Sequence, residues 1–307
     1  MQIAIIDLGT NTFNLMVAET RGTSYDILLE DKYHAKLGKG GINNNMILPE
    51  AMERGLDGLR HHINTLTRYQ VERVHCFATA AIRSAKNGQE FVQRVKQELD
   101  LDILVIDGQR EAELIYDGVK QVFPMSNEHV LILDIGGGSN EFVVANKDGV
   151  KWKHSFNLGV ARLLDRFKPS DPITDEEIAR VEAYFEMELQ LLFESVKGFG
   201  ITRLVGSSGS FDTLVSVIAG KYHPHFDAVK STSFEISMER YLEVHNEFLK
   251  STLEERRVLK GMDVQRLELI VLGSMFINFV VKRLGLTHIH QVSFALKEGA
   301  IFQLIQN

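Results

Sequence analysis

Two short segments of this 307-residue chain carry the residue types that grip phosphate. They are Asp7-Leu8-Gly9-Thr10-Asn11-Thr12 and Asp134-Ile135-Gly136-Gly137-Gly138-Ser139. A turn rich in Gly, Ser, Thr and Asn points several backbone N–H groups and hydroxyls at one spot, and such a nest binds phosphate oxygens. Glycine has no Cβ, so the backbone can approach a ligand closely. At Gly136 a positive φ is expected as a second reason for glycine. Each turn is entered from an apolar run, Ile3-Ala4-Ile5-Ile6 in one case and Val130 to Leu133 in the other. The Asp at the end of such a strand is placed to hold a metal ion, directly or through water. A single copy would pass for an ordinary glycine hairpin. Here the copies are in register: 134 minus 7, 136 minus 9 and 139 minus 12 all give 127. The repeat is that of a whole domain core.

The elements that must position these turns can be read from pattern and punctuation. Strands are expected at Ile3–Ile6, Phe13–Ala18, 25–33, Val74–Ala78 and Ile103–Ile106. Helices are expected from Pro49 to about Tyr69, from Gln89 to Leu99 and from Gln109 to Phe123. Pro at the first turn of a helix is harmless because its missing N–H would be unpaired anyway. Pro124-Met125-Ser126-Asn127 breaks the pattern, and a domain boundary is placed there. The second half begins with strands at Val130–Leu133 and Phe142–Ala145. A capping box, Thr174-Asp175-Glu176-Glu177, opens a long helix. Arg203–Val205 reads as a strand feeding a third glycine turn, Gly206-Ser207-Ser208-Gly209-Ser210. Helices at 238–249, 266–284 and 295–305 complete the chain. The domains are then 1–124, joined by the C-terminal helix 295–307, and 125–294.

Composition bounds the reading. Hydrophobic residues make up 44% and charged residues 24%, as in an ordinary globular protein. A net charge of −7 argues against specific nucleic-acid binding, which usually needs a basic surface, but leaves room for a polyanion in a locally basic cleft. No apolar stretch is long enough for a membrane span, because Glu268 and Asn278 interrupt the longest one. No signal-peptide pattern follows Met1, so a cytoplasmic location is expected. The single cysteine, Cys76, is expected as a small core residue. His61-His62, His223-x-His225 and His288-x-His290 lack a third ligand spaced nearby, so surface or packing roles are expected for them. Glu254-Glu255-Arg256-Arg257 reads as a solvated helix face with local ion pairs. The long apolar helix from Arg266 calls for a buried surface, and a homodimer is one way to supply it.

Glu111 stands in the first turn of the helix from Gln109. There a carboxylate ordinarily stabilises the helix N-terminus by about 0.3–1 kcal/mol. Beside a phosphate cleft it could instead orient or deprotonate an attacking water.

At this point a resemblance becomes specific. Ile6-Asp7-Leu8-Gly9-Thr10-Asn11-Thr12-Phe13 is similar to the opening motif of the exopolyphosphatase/guanosine pentaphosphate phosphohydrolase family. Ala78-Thr79-Ala80-Ala81-Ile82-Arg83-Ser84-Ala85-Lys86-Asn87, the Arg110–Ile115 helix and the Asp134–Glu141 hairpin resemble three further blocks of that family, in the same order. Weaker echoes follow at Leu158–Leu163 and Gly206–Ser210.

The resemblance implies an α/β fold of two actin-like (ribonuclease H-like) domains, each a mixed β-sheet flanked by helices, with a cleft between them. It implies hydrolysis of polyphosphate or of a phosphorylated guanosine nucleotide, with Mg²⁺ or another divalent cation. By the same resemblance, Glu111, Asp134 and Glu141 are catalytic, and Asp7, Asp134 and Glu141 surround the metal. Asn11, Thr12, Arg83, Gly136, Gly137, Gly138, Ser139, Gly209, Ser210 and Arg266 would contact phosphate. The chain departs from the family pattern at Arg266-Leu267-Glu268, at Lys297 of Leu296-Lys297-Glu298-Gly299, and at Ser210, each swap keeping charge or hydroxyl chemistry. The rival readings are a kinase or ATPase of the same superfamily and a catalytically weak sensor of polyphosphate or nucleotide.

Overall fold

The structure is a computed structural model that describes residues 1–223 and 231–306. The first sheet takes β1 (Gln2–Leu8), β2 (Phe13–Arg21), β3 (Ser24–Tyr33), β4 (Val71–Ala78) and β5 (Ile103–Val105), in the spatial order β3-β2-β1-β4-β5. Helices α1 (Pro49–Leu66), α2 (Ala80–Ser84), α3 (Gly88–Leu99) and α4 (Gly108–Val119) belong with it. The second sheet takes β6 (Val130–Ile135), β7 (Asn140–Asn146), β8 (Gly149–Phe156), β9 (Arg203–Ser207), β10 (Ser233–Ile236) and β11 (His288–Val292). Its order is β10-β11-β9-β6-β7-β8. Around it lie α5 (Val160–Phe167), α6 (Asp175–Glu188), α7 (Gln190–Val196), α8 (Gly209–Tyr222), α9 (Met238–Lys250), α10 (Leu253–Arg257) and α11 (Ile270–Leu284), and α12 (Leu296–Gln306) follows.

The two sheets repeat one plan. β1 pairs antiparallel with β2 and parallel with β4; β6 pairs antiparallel with β7 and parallel with β9. The core order β8-β7-β6-β9-β11 of the second sheet therefore copies that of the first. This is the actin-like arrangement, two mixed α/β domains.

The apolar runs of β1 and β6 are continuous because both faces are buried. Ala4, Ile6 and Leu8 pack into the first domain's own core with Phe13, Leu56 and Phe91. Ile3 and Ile5 point the other way. They join Val130, Ile132, Val143 and Val205 of the second sheet in a shared core that holds Ala112, Leu114 and Ile115 of α4 and Leu296, Ala300 and Ile301 of α12. α4 and α12 are thus wedged between the sheets. Their close approach needs glycine: a Cβ on Gly299 would collide with the Leu114 carbonyl, and one on Gly118 with the Ala295 carbonyl.

Several expectations need correction. α11 begins at Ile270, and Arg266 belongs to a 3-10 turn before it, Val264–Arg266. Every residue from Ile270 to Asn278 is buried, most of them in the second domain's core, so that helix's apolar character is satisfied within the chain. Arg256 is 4% exposed, not solvated: its guanidinium holds the Leu267 and Ser251 carbonyls and Asp171. The helices α2, α5, α7, α8 and α10 and the strands β8, β10 and β11 add to those expected from the sequence. Among the described residues, no helix is long and apolar enough to cross a membrane.

Candidate active site

The tips of the two hairpins meet at the floor of a cleft of about 460 Å³ between the domains. Each tip closes the same way, Gly9 N–H to Thr12 O at 3.1 Å and Gly136 N–H to Ser139 O at 3.0 Å. Neither Gly9 nor Gly136 has a positive φ. Glycine is required there for another reason: a Cβ on Gly136 would lie 2.6 Å from the Ser139 carbonyl, and one on Gly9 2.8 Å from the Thr12 carbonyl. Gly138 faces the other hairpin, where a Cβ would strike the Thr10 hydroxyl and lie 2.8 Å from Ala80. Arg162, in the Leu158–Leu163 segment, ties the tips across the domains. Its guanidinium donates to the Gly138 carbonyl at 2.8 Å, the Ile42 carbonyl at 2.7 Å and Ser84 Oγ at 2.9 Å.

Of the residues singled out in sequence, Asp7, Asn11, Thr12, Glu111, Asp134, Gly136, Gly137, Gly138, Ser139, Gly209 and Arg266 line the cleft. Glu141, Arg83 and Ser210 stand behind that lining. Glu141 is directly opposite Asp134 in the β6–β7 ladder, and Ser155 Oγ donates to its Oε1 at 2.6 Å. Arg83 donates to Glu111 Oε2 at 2.7 Å and to the Ile106 carbonyl at 3.1 Å, so it holds the carboxylate in position. Ser210 is buried against Gly273 of α11. Gly209 makes room for the Arg266 guanidinium, which a Cβ would overlap.

Glu111 enters the site because α4 starts there. Asp107 caps the helix by accepting from the Arg110 N–H at 2.7 Å. The next residue, Glu111, is then turned into the shared core, 7% exposed. Burial and the facing Glu141 push its pKa well above the ordinary carboxylate value, against the pull of Arg83. Glu141 is raised to about 7 by burial and by Asp134, and Asp7 to about 6 by burial. Asp134 is raised by burial too, opposed by hydroxyl donation from Ser208 and Ser207 and by the charge of Arg266.

Other residues of the site carried no legible signal of their own. Ser207 and Ser208 donate to Asp134 Oδ2 at 2.8 and 2.6 Å, and Ser208 sits at φ 70°, where L residues are strained. They lay inside the third glycine turn, but its chain partner is 73 residues upstream. Lys32 and His34 reach the cleft from β3 and the segment after it, and Asp212 from α8. Lys297, from the first turn of α12, ion-pairs with Glu30 at 2.6 Å and Glu298 at 3.5 Å. Burial alone would lower its pKa, but those two carboxylates more than offset it and hold the ammonium charged.

The histidine pairs resolve differently. His290 meets the edge of Phe123 and His223 that of Phe234, which are packing roles; His225 lies outside the described residues. His61 and His62 stand beside Asp31, an acidic neighbour that their spacing in the sequence did not show. Cys76 is buried, as a core residue.

A two-domain actin-like fold, with paired glycine turns and buried carboxylates in its cleft, defines the class of the protein. Within that class, the chain belongs to the Ppx/GppA phosphatase family, whose model matches residues 16–307. It is 28% identical over 313 residues to a putative exopolyphosphatase of Haemophilus influenzae, covering 100% of this chain and 92% of that one. It is 27% identical over 318 residues to a bifunctional 3-dehydroquinate synthase/phosphatase of Fusobacterium nucleatum, covering 99% of this chain but 46% of that protein. Among solved structures, an exopolyphosphatase from Cytophaga hutchinsonii superposes with a TM-score of 0.96 at 36% identity, covering 100% of this chain and 98% of the other. A Ppx/GppA family member from Aquifex aeolicus gives a TM-score of 0.81 at 26% identity, with coverage of 100% and 98%.

Proposed function

We propose that the chain removes the terminal phosphate from inorganic polyphosphate, with Glu111 holding and deprotonating the attacking water. The observation that carries this reading is Glu111 itself. It is buried and lines a cleft between the two glycine turns, and burial and Glu141 raise its pKa. The water oxygen attacks the terminal phosphorus in line with the bridging oxygen. Glu111 takes the water proton, the P–O bridge breaks, and the shortened chain leaves as an anion. The nests at Gly9–Thr12 and Gly136–Ser139 hold the phosphate oxygens through backbone N–H groups and hydroxyls. Lys32, Lys297 and Arg266 supply positive charge along the cleft despite the net charge of −7.

Mg²⁺ fits the acidic side of this cleft. Asp7, Asp134 and Glu141 are buried carboxylates, and each has one oxygen held by a neutral donor: Asn14 for Asp7, Ser207 and Ser208 for Asp134, Ser155 for Glu141. Mg²⁺ is usually held by one or two carboxylates, with water and substrate phosphate completing its shell. Asp134 and Asp7, which line the cleft from its two sides, would hold it, with Glu141 beside Asp134 acting through water. When bound, the cation would offset negative charge on the phosphate oxygens.

Guanosine pentaphosphate offers the same anhydride chemistry to the same groups and is the second substrate of this reading. The experiment is phosphate release from long-chain polyphosphate, guanosine pentaphosphate and ATP, side by side with Mg²⁺. Fastest release from polyphosphate supports the assignment. Tight polyphosphate binding with no release from any of the three would make the chain a sensor. Transfer of phosphate to an acceptor other than water would make it a kinase.

A further inference from the structure

On the outer side of the first domain, away from the cleft, α1 lies over β3. Along β3 the side chains alternate: Glu30 and Lys32 line the cleft, and Asp31 between them faces α1. His62 of α1 is wholly buried there, at 0% exposure. Its Nε2 lies 3.2 Å from the Phe13 carbonyl oxygen. A carbonyl can only accept, so Nε2 carries the hydrogen. In a neutral ring Nδ1 is then a bare lone pair. Nδ1 has no hydrogen-bond partner, yet it points at Asp31 Oδ2 from 3.3 Å. Two acceptors facing one another in a buried place repel unless a cation lies between them.

A third donor stands beside them. His61 Nε2 is 2.8 Å from the same Asp31 oxygen. The ligand atoms of Asp31, His61 and His62 all lie within 4.8 Å of one another. The ring of His61 is flanked by Tyr33 and His62, with centroids 5.6 and 5.5 Å away. The outer hydrogen bond of His62 also has the form seen at metal sites, where a ligating imidazole passes its other N–H to a backbone carbonyl and so fixes the tautomer. His61 is 48% exposed and Asp31 28% exposed, which leaves a route in and room for water ligands.

We propose that Asp31, His61 and His62 form a second metal site, selective for a transition-metal dication of the Zn²⁺ type, that clips α1 to β3. Two imidazole nitrogens and a carboxylate suit Zn²⁺, whereas Mg²⁺ prefers oxygen alone. Binding fastens the strand whose opposite side chains, Glu30 and Lys32, face the cleft.

The test uses the full chain, stripped with a chelator and free of substrate, so its result is independent of the hydrolase reading. Co²⁺ is added alone and followed by visible absorption, and Zn²⁺ is then titrated against it while the melting temperature is recorded. The variants are His61→Ala and Asp31→Asn, both at partly exposed side chains that the folded core does not need. The parent should show a nitrogen-ligand Co²⁺ spectrum that Zn²⁺ erases, and a melting temperature that rises with Zn²⁺. Outer-shell changes commonly cost 10–100-fold in metal affinity, so loss of a direct ligand should cost at least ~100-fold in each variant. Equal affinity in the parent and both variants, or no Zn²⁺ response at all, overturns the site.

Discussion

The β1–β2 and β6–β7 hairpins share a backbone but differ in chemistry. Asp7 is paired in register with Asn14, and Asp134 with Glu141, 127 residues later in each case (134 minus 7, 141 minus 14). Asn14 donates to Asp7 Oδ2 at 3.0 Å, a neutral partner for a buried carboxylate. Glu141 sets a second carboxylate beside Asp134, and both must be held by hydroxyls, Ser155 on one and Ser207 and Ser208 on the other. The strand on the far side differs as well: Asp7 stands level with Phe77, Asp134 with Ser207. The turn occurs twice, while the buried carboxylates, Glu111 with Glu141 and Asp134, gather against the second domain. In the proposed reaction the first copy grips the substrate and the second brings the carboxylates.

The largest effect is expected where this asymmetry ends, at Glu111. Glu111→Gln is nearly isosteric and leaves both nests intact, so substrate affinity should hold while kcat falls by roughly 10²–10⁴-fold, the range of a general base. If Glu111 only stabilises the start of α4, kcat will stay within about threefold of the parent, far below that range. Measuring kcat, affinity and melting temperature on one protein separates the two.

Glu141→Gln makes the second hairpin chemically like the first. Its consequence for stability follows from the raised pKa. A carboxylate whose folded pKa lies above its unfolded value binds more protons when folded, so stability is greatest when it is protonated and falls as pH rises between the two values. For Glu141 that window runs from the ordinary 4.5 to about 7, and for Asp7 from 3.8 to about 6. Metal-free parent should therefore lose stability from about pH 4 to 7, with Glu141 contributing on the order of 3 kcal/mol at most. Denaturant melts across that range should show a flatter profile for Glu141→Gln, and a smaller flattening for Asp7→Asn. A parent profile that rises over the window would contradict the account.

The reverse swap, Asn14→Asp, gives the first hairpin a carboxylate pair without the serine donors of the second. A buried, underpaired charge costs about 1–3 kcal/mol, more if it stays ionised. The loss should be relieved at low pH, where the added acid is neutral. A variant as stable as the parent at pH 8 would mean that Asn14 is not needed as a neutral partner.

The smallest effect tests what the hairpins share. Gly9→Ala and Gly136→Ala each press a Cβ onto a turn carbonyl at a similar distance, 2.8 and 2.6 Å. Both should cost a similar amount of stability, about 1–3 kcal/mol as for other overpacked sites. Thermal melts of the pair should agree closely. A large cost at Gly136 with none at Gly9 would show that the turns are not equivalent after all.

The amino-acid sequence by itself determined the repeat, and with it the two hairpins, their Asp residues and the fold class. These are local patterns: an apolar run, a glycine turn and a second strand occupy about fifteen residues, and the 127-residue offset needs no knowledge of contacts. It also marked Glu111, because α4's cap and first turn are local. The tertiary structure decided what each marked group touches. Arg83, expected to contact phosphate, is also the partner of Glu111, since β4 and β5 run parallel and bring α2 beside the start of α4. Ser207 and Ser208 reach Asp134 only because β9 pairs with β6. Lys297 comes to the cleft only because α12 is wedged between the sheets. His61 and His62 find Asp31 only because α1 crosses β3. Such contacts join residues tens to hundreds of positions apart. They depend on strand register and helix packing, which the spacing of types along the chain does not encode.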